Sequence, residues 1–313
     1  MPSSTGHGYL LAFAGTAIWA TTAIFIGYLS TRFGLPPLVL AFWRDLFAAC
    51  ALALVFLAFK RPLLFPPQVR RHLPFLAAYG LSLATFNALW TTSVARNGAA
   101  AATVLAYSSP AFTALVGRRL FGERLDAPKV AAILLSLLGC ALVSGAVTPA
   151  AWQTDSLGIV VGLLSGVAFS GYSLFGKAAA HRGLPPWSTM LYAFSFAAAF
   201  LLLLQRPATL FYLGRSATGW GILTLLAIGP TIGGYGLYTV SLTYLPAGVA
   251  NLIATLEPTL TALLAFLFLG EKWTALQWGG SALILLGVVL LRLGEIRRSP
   301  LPPITAAGSP PDP

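Results

Sequence analysis

Charged residues are scarce in this sequence. They make up 9% of the 313 residues, whereas a soluble domain carries roughly 25%. Hydrophobic residues reach 57% and gather in segments of about 20 residues, the length of helix that crosses ~30 Å of hydrocarbon. Strands of a membrane barrel would be about half as long and would alternate polar with apolar residues. The composition therefore excludes a soluble domain and predicts an all-α integral membrane protein that lies in a lipid bilayer.

The residue types that build most catalytic and metal sites are also few. The chain has three histidines, His7, His72 and His181, all outside the predicted membrane segments, and two cysteines, Cys50 and Cys140, both inside them. No Cys-x-x-Cys pair and no set of nucleophile, base and orienting residue can be assembled from the sequence. The sequence therefore predicts a protein that is not an enzyme and that holds no metal and no cofactor.

Acidic residues number only 8 against 19 lysines and arginines, which gives a net charge of +11. The basic residues are scattered through short connections rather than gathered in one stripe, so nucleic acid is not a predicted partner. In a membrane protein, their distribution instead indicates which connections face the cytoplasm.

Ten hydrophobic segments are long enough to be membrane spans. They cover residues 9–30, 37–59, 73–94, 99–121, 128–145, 156–179, 186–204, 218–242, 247–269 and 275–293. Spans 3 and 4 are joined by only a few residues, and so are spans 8 and 9. Each of these pairs is therefore predicted to form an antiparallel hairpin.

Lysine and arginine are divided unequally between the two sides of the membrane. The side that carries both termini has 13: Lys60, Arg61, Arg70, Arg71, Arg118, Arg119, Arg124, Lys129, Lys177, Arg182, Arg292, Arg297 and Arg298. The opposite side has five: Arg32, Arg96, Arg206, Arg215 and Lys272. Because cytoplasmic connections carry the excess of Lys and Arg, both termini are predicted to be cytoplasmic in a multi-pass protein of the inner (plasma) membrane.

The two halves of the chain repeat one another. Residues 104–144 match residues 252–292 at 13 of 41 positions without a gap. The matches include a mid-helix proline and a Gly-Glu pair at the helix end: Pro110 with Pro258, Thr113 with Thr261, Gly122 with Gly270, and Glu123 with Glu271. Shared hydrophobic composition would not align these features in one register. The sequence therefore indicates a duplicated membrane unit.

The duplication extends to the first spans of each half, where Gly34-Leu-Pro-Pro37 recurs as Gly183-Leu-Pro-Pro186. Each half has five spans, and an odd number of spans places the halves upside down relative to one another. We expect a short cytoplasmic N-terminus at 1–8, repeats at 9–145 and 146–293, and a disordered cytoplasmic tail at 294–313. Two inverted repeats with a site between them are typical of alternating-access transporters.

The repeated pattern resembles a known superfamily. Ten spans in two repeats, each with a proline inside its fourth span and a closing Gly-Glu-Arg/Lys, resemble the drug/metabolite transporter (DMT) superfamily and specifically its EamA branch. The most specific portion is residues 256–291, and the resemblance covers residues 8–293. It implies export of small metabolites from the cytoplasm, and YddG-type members of the branch export aromatic and other amino acids. The branch has diverse substrates, so the motifs alone do not name one.

A substrate cavity is predicted where bulky polar and aromatic groups recur at matching depths in the two halves. Trp19 and Thr22 on span 1 correspond to Phe169 and Tyr172 on span 6, and Asn87 and Trp90 on span 3 correspond to Tyr235 and Tyr238 on span 8. Such side chains suit an amphipathic solute, because most of them join an apolar face to a hydrogen-bonding group. The alternative for each of them is that it fills the bundle core or faces lipid. The predicted cavity set is Trp19, Thr22, Arg44, Tyr79, Asn87, Trp90, Tyr107, Ser108, Ser109, Tyr172, Tyr235, Tyr238, Thr255 and Glu257.

The repeated prolines are predicted hinges. A proline inside a helix removes one backbone hydrogen bond and frees the carbonyl four residues earlier, here those of Ala106 and Ala254. Pro110 and Pro258 are therefore candidate hinges of spans 4 and 9. The alternative is that they serve packing alone, as prolines in membrane helices can.

Two charged positions inside spans allow more than one role. An unpaired carboxylate at mid-membrane costs at least ~2.5 kcal/mol, so Glu257 must be protonated, hydrated or paired. It is predicted either to couple protons or contact a substrate amine, or to bond to a neighbouring helix. Arg44 is predicted to face the cavity, where it could meet a carboxylate, while Asp45 pairs within the bundle. The two side chains are expected to diverge, because successive helical positions differ by about 100°.

These features favour a carrier that exports small organic metabolites by alternating access through a central cavity. A channel or scaffold is the principal other class. Aromatic or large apolar amino acids are the predicted substrates, and the alternative is a proton-coupled exporter of drugs or cationic metabolites. The sequence does not fix the oligomeric state, and a monomer is compatible with it.

Overall fold

The computed structural model describes residues 4–59, 67–149, 155–269 and 272–296. In these ranges the regular structure is entirely helical. The helices are α1 (Ser4–Ala20), α2 (Thr22–Phe33), α3 (Pro37–Ala58), α4 (Pro67–Arg70), α5 (Leu73–Ala106), α6 (Ser109–Phe121), α7 (Ala127–Val143), α8 (Ser156–His181), α9 (Pro186–Leu203), α10 (Ala217–Leu226), α11 (Tyr235–Ser241), α12 (Ala247–Ala254), α13 (Glu257–Leu269) and α14 (Ala275–Ile296). A π-helix at Ala227–Gly234 joins α10 to α11.

Within the described ranges, nine helical segments are long and apolar enough to cross a membrane, and a tenth apolar helix, α7, is shorter. This agrees with the prediction of ten spans. The first and last helices extend beyond the predicted spans, since α1 begins at Ser4 and α14 continues to Ile296. The rest of the predicted tail, 297–313, and the predicted helix-closing Glu271 lie outside the described residues.

Helix α1 begins and α14 ends at the same face of the bundle. The Arg292 guanidinium lies 4.3 Å from the centre of the Tyr9 ring, which joins the last helix to the first. We call this side the terminal face and the other side the distal face.

Helix α5 contains span 3 and the first part of span 4, and it is helical along its whole length. A Cβ atom placed on Gly162 of α8 would lie 2.6 Å from both Ser93 Oγ and Leu105 Cδ1. In a straight helix these two residues would stand about 18 Å apart along the axis at 1.5 Å per residue. The chain therefore reverses direction between them, which confirms the predicted hairpin.

The repeated Gly-Leu-Pro-Pro segment forms the same corner twice. Gly34 and Gly183 have φ angles of 63° and 67°, in the left-handed region that residues with a Cβ atom avoid. The following leucine is buried in each copy, and the second proline opens the next helix, α3 or α9. The corner therefore depends on glycine to stop one helix and on proline to start another.

The two halves pack against each other in matching pairs. Helix α1 lies on α11 and the π-helix, while its counterpart α8 lies on α5. Gly8 of α1 faces Tyr244 and Leu245 just as Gly158 of α8 faces Arg96 and Asn97. The pairs α3 with α9 and α7 with α14 complete the arrangement. The seam between the repeats therefore runs through the middle of the bundle.

Four of the ten spans are interrupted near this seam. Helices α5 and α6 are separated at 107–108, just before Pro110, and α12 and α13 at 255–256, just before Pro258. The sequence predicted these two breaks. It did not predict the break at Thr21, where the freed Ala20 carbonyl accepts a hydrogen bond from Thr261 Oγ1 at 3.1 Å.

The π-helix around Pro230 was not predicted either. Across the wider turn of this π-helix, Thr231 Oγ1 donates a hydrogen bond to the Leu226 carbonyl, five residues back, at 2.8 Å. Such interruptions leave backbone groups for ligands or for neighbouring helices, and they concentrate at transporter binding sites.

Candidate substrate cavity

A cavity with about 560 Å³ of empty space, including the space at its open mouth, lies at the seam. Both halves of the chain contribute to its wall. The lining residues are Trp19, Thr22, Ile26, Arg44, Phe86, Asn87, Trp90, Thr103, Ala106, Tyr107, Phe169, Tyr235 and Glu257.

Most of the predicted cavity residues lie in this wall. Eight of the fourteen line it: Trp19, Thr22, Arg44, Asn87, Trp90, Tyr107, Tyr235 and Glu257. Phe169, which was paired with Trp19 in the repeat, lines it as well. The structure places the other six outside the wall: Tyr79, Ser108, Ser109, Tyr172, Tyr238 and Thr255.

The apolar side of the cavity is aromatic. The Trp19 ring lies 5.6 Å from Phe169 and 4.3 Å from Tyr235, centroid to centroid. Phe86 stacks on Phe169 at 5.0 Å. These rings offer flat apolar surfaces that can pack against an apolar or aromatic group of a solute.

Arg44 supplies a positive charge to the wall, held by two neighbours. Its Nε donates to Asp45 Oδ1 at 3.1 Å, and its Nη2 donates to Asn87 Oδ1 at 2.9 Å. Asn87 Nδ2 in turn donates to Asp45 Oδ2 at 3.0 Å. All three side chains are buried. The closed triangle fixes the guanidinium against the cavity.

The triangle corrects one prediction. Arg44 and Asp45 were expected to diverge because they are adjacent on a helix, yet they pair with each other and share Asn87 as a partner. The 100° rule describes where Cα–Cβ bonds point. A long arginine side chain can turn back along its own helix, so that rule does not limit where a guanidinium ends.

Glu257 supplies a carboxylate to the same cavity. It is the first residue of α13, directly after one helix break, and Tyr107 directly follows the end of α5 at the matching break in the other half. The Tyr107 hydroxyl donates a hydrogen bond to Glu257 Oε2. Within the described residues no lysine or arginine forms an ion pair with this carboxylate.

Thr22 adds an unused polar group. It follows the break at Thr21, lines the cavity, and its buried hydroxyl has no hydrogen-bond partner among the described residues. Buried polar groups are nearly always paired in folded proteins. An unpaired hydroxyl in a cavity wall is therefore suited to a polar ligand.

A packed floor separates the cavity from the terminal face. Tyr79, Tyr172 and Tyr238 are fully buried there, with ring centroids 4.9 Å apart for Tyr79 and Tyr172. Tyr172 shares a hydrogen bond with Thr239 Oγ1 at 3.2 Å, and Tyr238 shares one with Ser173 Oγ at 2.7 Å. These tyrosines form the floor of the cavity rather than its wall.

Polar side chains lie directly beneath the floor. Ser109 Oγ donates to Asn251 Oδ1 at 2.9 Å, and Asn251 Nδ2 donates to Ser173 Oγ at 2.7 Å. Ser108 and Thr255 use their hydroxyls on carbonyls three residues back, at 2.6 Å in each case. The last two therefore stabilise the helix breaks.

The cavity opens toward the distal face. At that end its wall consists of partly exposed residues, including Ile26, Phe86, Trp90 and Thr103. The predicted set missed three of these, Ile26, Phe86 and Thr103, together with Ala106. Ile26 and Phe86 lie four residues from Thr22 and Trp90, so helical spacing from those residues could have found them. Thr103 gave no comparable signal, whereas Ala106 was indicated only through the carbonyl that Pro110 frees.

Nothing in the described ranges suggests a metal site, since no three His, Cys, Asp or Glu side chains are grouped there. The cavity instead combines one fixed cation, one carboxylate, one free hydroxyl and aromatic surface. This combination can bind a solute by charge and shape without chemical change.

Comparison with known proteins identifies relatives along the whole bundle. The EamA-like transporter family matches residues 6–145 and, a second time, residues 156–293. The uncharacterized transporter YwfM of Bacillus subtilis is 30% identical over 222 residues, which are 70% of this chain and 72% of YwfM.

Two further relatives carry more specific names. The probable amino-acid metabolite efflux pump of Escherichia coli is 28% identical over 268 residues, 82% of this chain and 85% of the pump. The threonine/homoserine exporter RhtA of Salmonella typhimurium is 27% identical over 253 residues, 79% of this chain and 80% of RhtA. A solved crystal structure of a protein with 20% sequence identity superposes on this chain with a TM-score of 0.77. The superposition covers 93% of this chain and 98% of the other, which supports the fold.

Proposed function

The chain belongs to the EamA-like transporter family, and we propose that it exports α-amino acids, particularly aromatic and large apolar ones, by alternating access. It is a transporter of small metabolites in the membrane rather than an enzyme. The proposal concerns which metabolite it carries and in which direction.

The observation that carries the proposal is the presence of Arg44 and Glu257 in one cavity wall. A free amino acid has a carboxylate and an ammonium group, and each would find its opposite charge there. Charge-assisted hydrogen bonds are roughly twice as strong as neutral ones. The Asp45–Asn87 support keeps the guanidinium in place before a substrate arrives, which reduces the ordering needed on binding.

The aromatic surface of the cavity supports a substrate whose side chain is aromatic or large and apolar. Trp19, Phe86, Trp90 and Phe169 surround the space that the substrate side chain would occupy. The E. coli relative is named for amino-acid metabolites and the Salmonella relative for threonine and homoserine. The relatives thus favour amino acids in general, and the cavity wall favours the larger apolar ones.

The proposed orientation sets which side of the membrane the open cavity faces, and that side is compatible with export. With 13 basic residues on the terminal side against five on the other, the terminal face would be cytoplasmic. The open cavity would then face outward, in a conformation that releases substrate. We take the alternating units to be the repeats 9–145 and 146–293, with Pro110 and Pro258 as hinges at their breaks.

A second candidate is a proton-coupled exporter of drugs or cationic metabolites. It is favoured by Glu257, whose carboxylate lines the cavity and bonds to Tyr107 rather than to a described basic residue. A cationic solute would need this carboxylate but would have no use for Arg44.

Counterflow in proteoliposomes tests the proposal. Vesicles loaded with unlabelled tryptophan, leucine, threonine or an organic cation would be challenged with the labelled form. A carrier accelerates labelled uptake under these conditions, whereas a channel does not. We expect the aromatic and large apolar amino acids to give the strongest acceleration.

Amino-acid methyl esters separate the two candidates, because an ester keeps the ammonium and lacks the carboxylate. If Arg44 binds the carboxylate, the free amino acid competes at least about tenfold better than its ester, the equivalent of ~1.4 kcal/mol. Equal competition by ester and free acid, together with strong counterflow of cations, would instead support the second candidate.

A further inference from the structure

Helix α12 begins at the terminal face without a cap of its own. The residue before it is Pro246, whose side chain cannot accept a hydrogen bond. The first backbone N–H groups of a helix have no partner inside the helix and carry a partial positive charge. This helix end therefore needs an acceptor from elsewhere in the chain.

Glu123 supplies that acceptor from the other half of the protein. Its Oε1 accepts from Ala247 N at 2.6 Å, and its Oε2 accepts from Gly248 N at 3.2 Å. Glu123 follows the end of α6, 124 residues before Ala247 along the chain. One carboxylate thus ties the two repeats together at the terminal face.

Lys129 completes the contact. Its Nζ donates to Glu123 Oε2 at 3.1 Å, and the two side chains are only 7% and 6% exposed. The approach is close, since a Cβ atom on Gly248 would stand 2.8 Å from Lys129 Nζ. We call Glu123, Lys129 and the first turn of α12 the Glu123 latch.

The latch lies between a surface recess and the floor of the cavity. The recess holds about 970 Å³ of empty space, open solvent included, and its lining includes Glu123, Lys129, Tyr244 and Val249. One helical turn beyond Ala247, Asn251 enters the hydrogen bonds beneath the cavity floor. Helix α12 therefore connects the latch directly to the floor.

We propose that the Glu123 latch is the gate of the terminal face, which holds the carrier open to the distal face. Helix α12 has only 8 residues and ends at the break before Glu257, so it can move as a short unit once its first turn is released. As the recess opens, water can replace the partners in the charge-assisted hydrogen bonds of the latch. This inference rests on the proposed function only in requiring a carrier that alternates.

Cysteine accessibility tests the gate without any substrate. The background is Cys50→Ala with Cys140→Ser, and the first reporter is Val249→Cys, because Val249 borders the recess and is 1% exposed. Glu123→Gln removes the charge and one acceptor. Because charge-assisted hydrogen bonds are stronger than neutral ones, their loss should release the first turn of α12, and we expect a membrane-impermeant maleimide on the terminal side to react at least ~10-fold faster.

Two matched variants calibrate this result. Lys129→Gln leaves both Glu123 bonds to α12 in place, so its labelling rate should rise less. Arg124→Gln removes one charge from an exposed neighbouring side chain that also borders the recess, and its rate should equal that of the background.

A second reporter separates gating from loosening. Thr103→Cys lies in the cavity wall near the distal mouth. If the latch is a gate, Glu123→Gln raises labelling at position 249 and lowers it at position 103, because the two faces open in turn. Faster labelling at both positions would indicate general destabilisation. An unchanged rate at position 249 would show that the latch does not close the terminal face. Either result overturns the proposal. If no amino acid is transported but the reciprocal labelling holds, the substrate assignment fails and the gate stands.

Discussion

The Tyr107 hydroxyl donates a hydrogen bond to the Glu257 carboxylate across 150 residues of sequence, and so joins the two halves at the cavity wall. Each residue sits beside a helix break, one in each repeat. The bond therefore places the only described carboxylate of the cavity wall where helix breaks of the two halves meet.

Tyr107→Phe should keep the ring and remove only this bond. A hydrogen bond to a charged group contributes ~1.5–3 kcal/mol, so we expect transport to fall about tenfold or more with the protein still folded. Glu257→Gln should raise the KM of an amino acid more strongly, because it removes the charge that would meet the ammonium. Initial rates of counterflow across a range of substrate concentrations measure both changes. An unaltered KM in Glu257→Gln would remove this carboxylate from substrate binding.

The Arg44–Asp45 pair allows binding and stability to be separated. Arg44→Met leaves Asp45 buried without its cation, a change that costs about 3–5 kcal/mol in comparable pairs. The double variant with Asp45→Asn removes the stranded charge, so it should regain most of the lost thermal stability. It should not regain amino-acid transport, because no guanidinium remains in the cavity. Melting in detergent and counterflow on the same preparations give the two readouts. Recovery of both properties would make Arg44 a structural residue only.

Trp90 and Tyr238 form a second contrast, between wall and floor. Trp90→Ala alters a partly exposed wall residue and should weaken transport of aromatic amino acids with little change in melting temperature. Tyr238 is fully buried, and loss of a large buried aromatic side chain costs about 3–5 kcal/mol. Tyr238→Ala should therefore lower stability first. If Tyr238→Ala melts normally and changes only the substrate preference, then Tyr238 reaches substrate and does not merely support the floor.

Asp155 predicts a pH dependence at the distal face. Its carboxylate accepts a hydrogen bond from Arg96 Nη1 at 2.5 Å and caps α8 through Leu157 N at 3.0 Å. The hydrogen bond from Arg96, assisted by the backbone N–H groups, lowers the pKa of Asp155 below its usual value. A lowered folded-state pKa means that the contribution to stability is complete above the ordinary aspartate pKa of ~3.9 and is lost as pH falls further.

Asp155→Asn is the matched control, since asparagine caps helices about as well as aspartate. The difference in melting temperature between the two proteins should stay constant from about pH 7 to pH 5 and shrink below about pH 4. Because the pair is solvent-exposed, added salt should also reduce the difference. A difference that grows on acidification would contradict the sign of the shift.

Much of the fold was predictable because a bilayer imposes simple rules. Span length follows from membrane thickness, so the ten spans could be located from hydrophobic runs alone. The matched prolines located two of the helix breaks, because proline cannot complete a helical hydrogen bond. The break at Thr21 gave no comparable signal, since its freed carbonyl is bonded by Thr261 in a distant helix. The π-helix does contain Pro230, but the comparison of the two halves passed over it because the first half has Ser82 at the corresponding position.

The cavity was predictable only in part. Trp90 and Tyr238 occupy matching places in the repeat, yet one lies in the wall and the other in the floor. An exact inverted symmetry would treat both alike. The structure is open at one face and closed at the other, so equivalent residues have different surroundings.

By itself, the sequence determined the membrane class, the number of spans, the repeat and the residue types available for a site, because these depend on composition and spacing along the chain. Only the tertiary structure decided that Arg44 turns back to Asp45, that Tyr107 reaches Glu257, and that Glu123 caps a helix of the other half. Those contacts depend on side-chain conformation and on how the helices pack across the seam, and local sequence specifies neither.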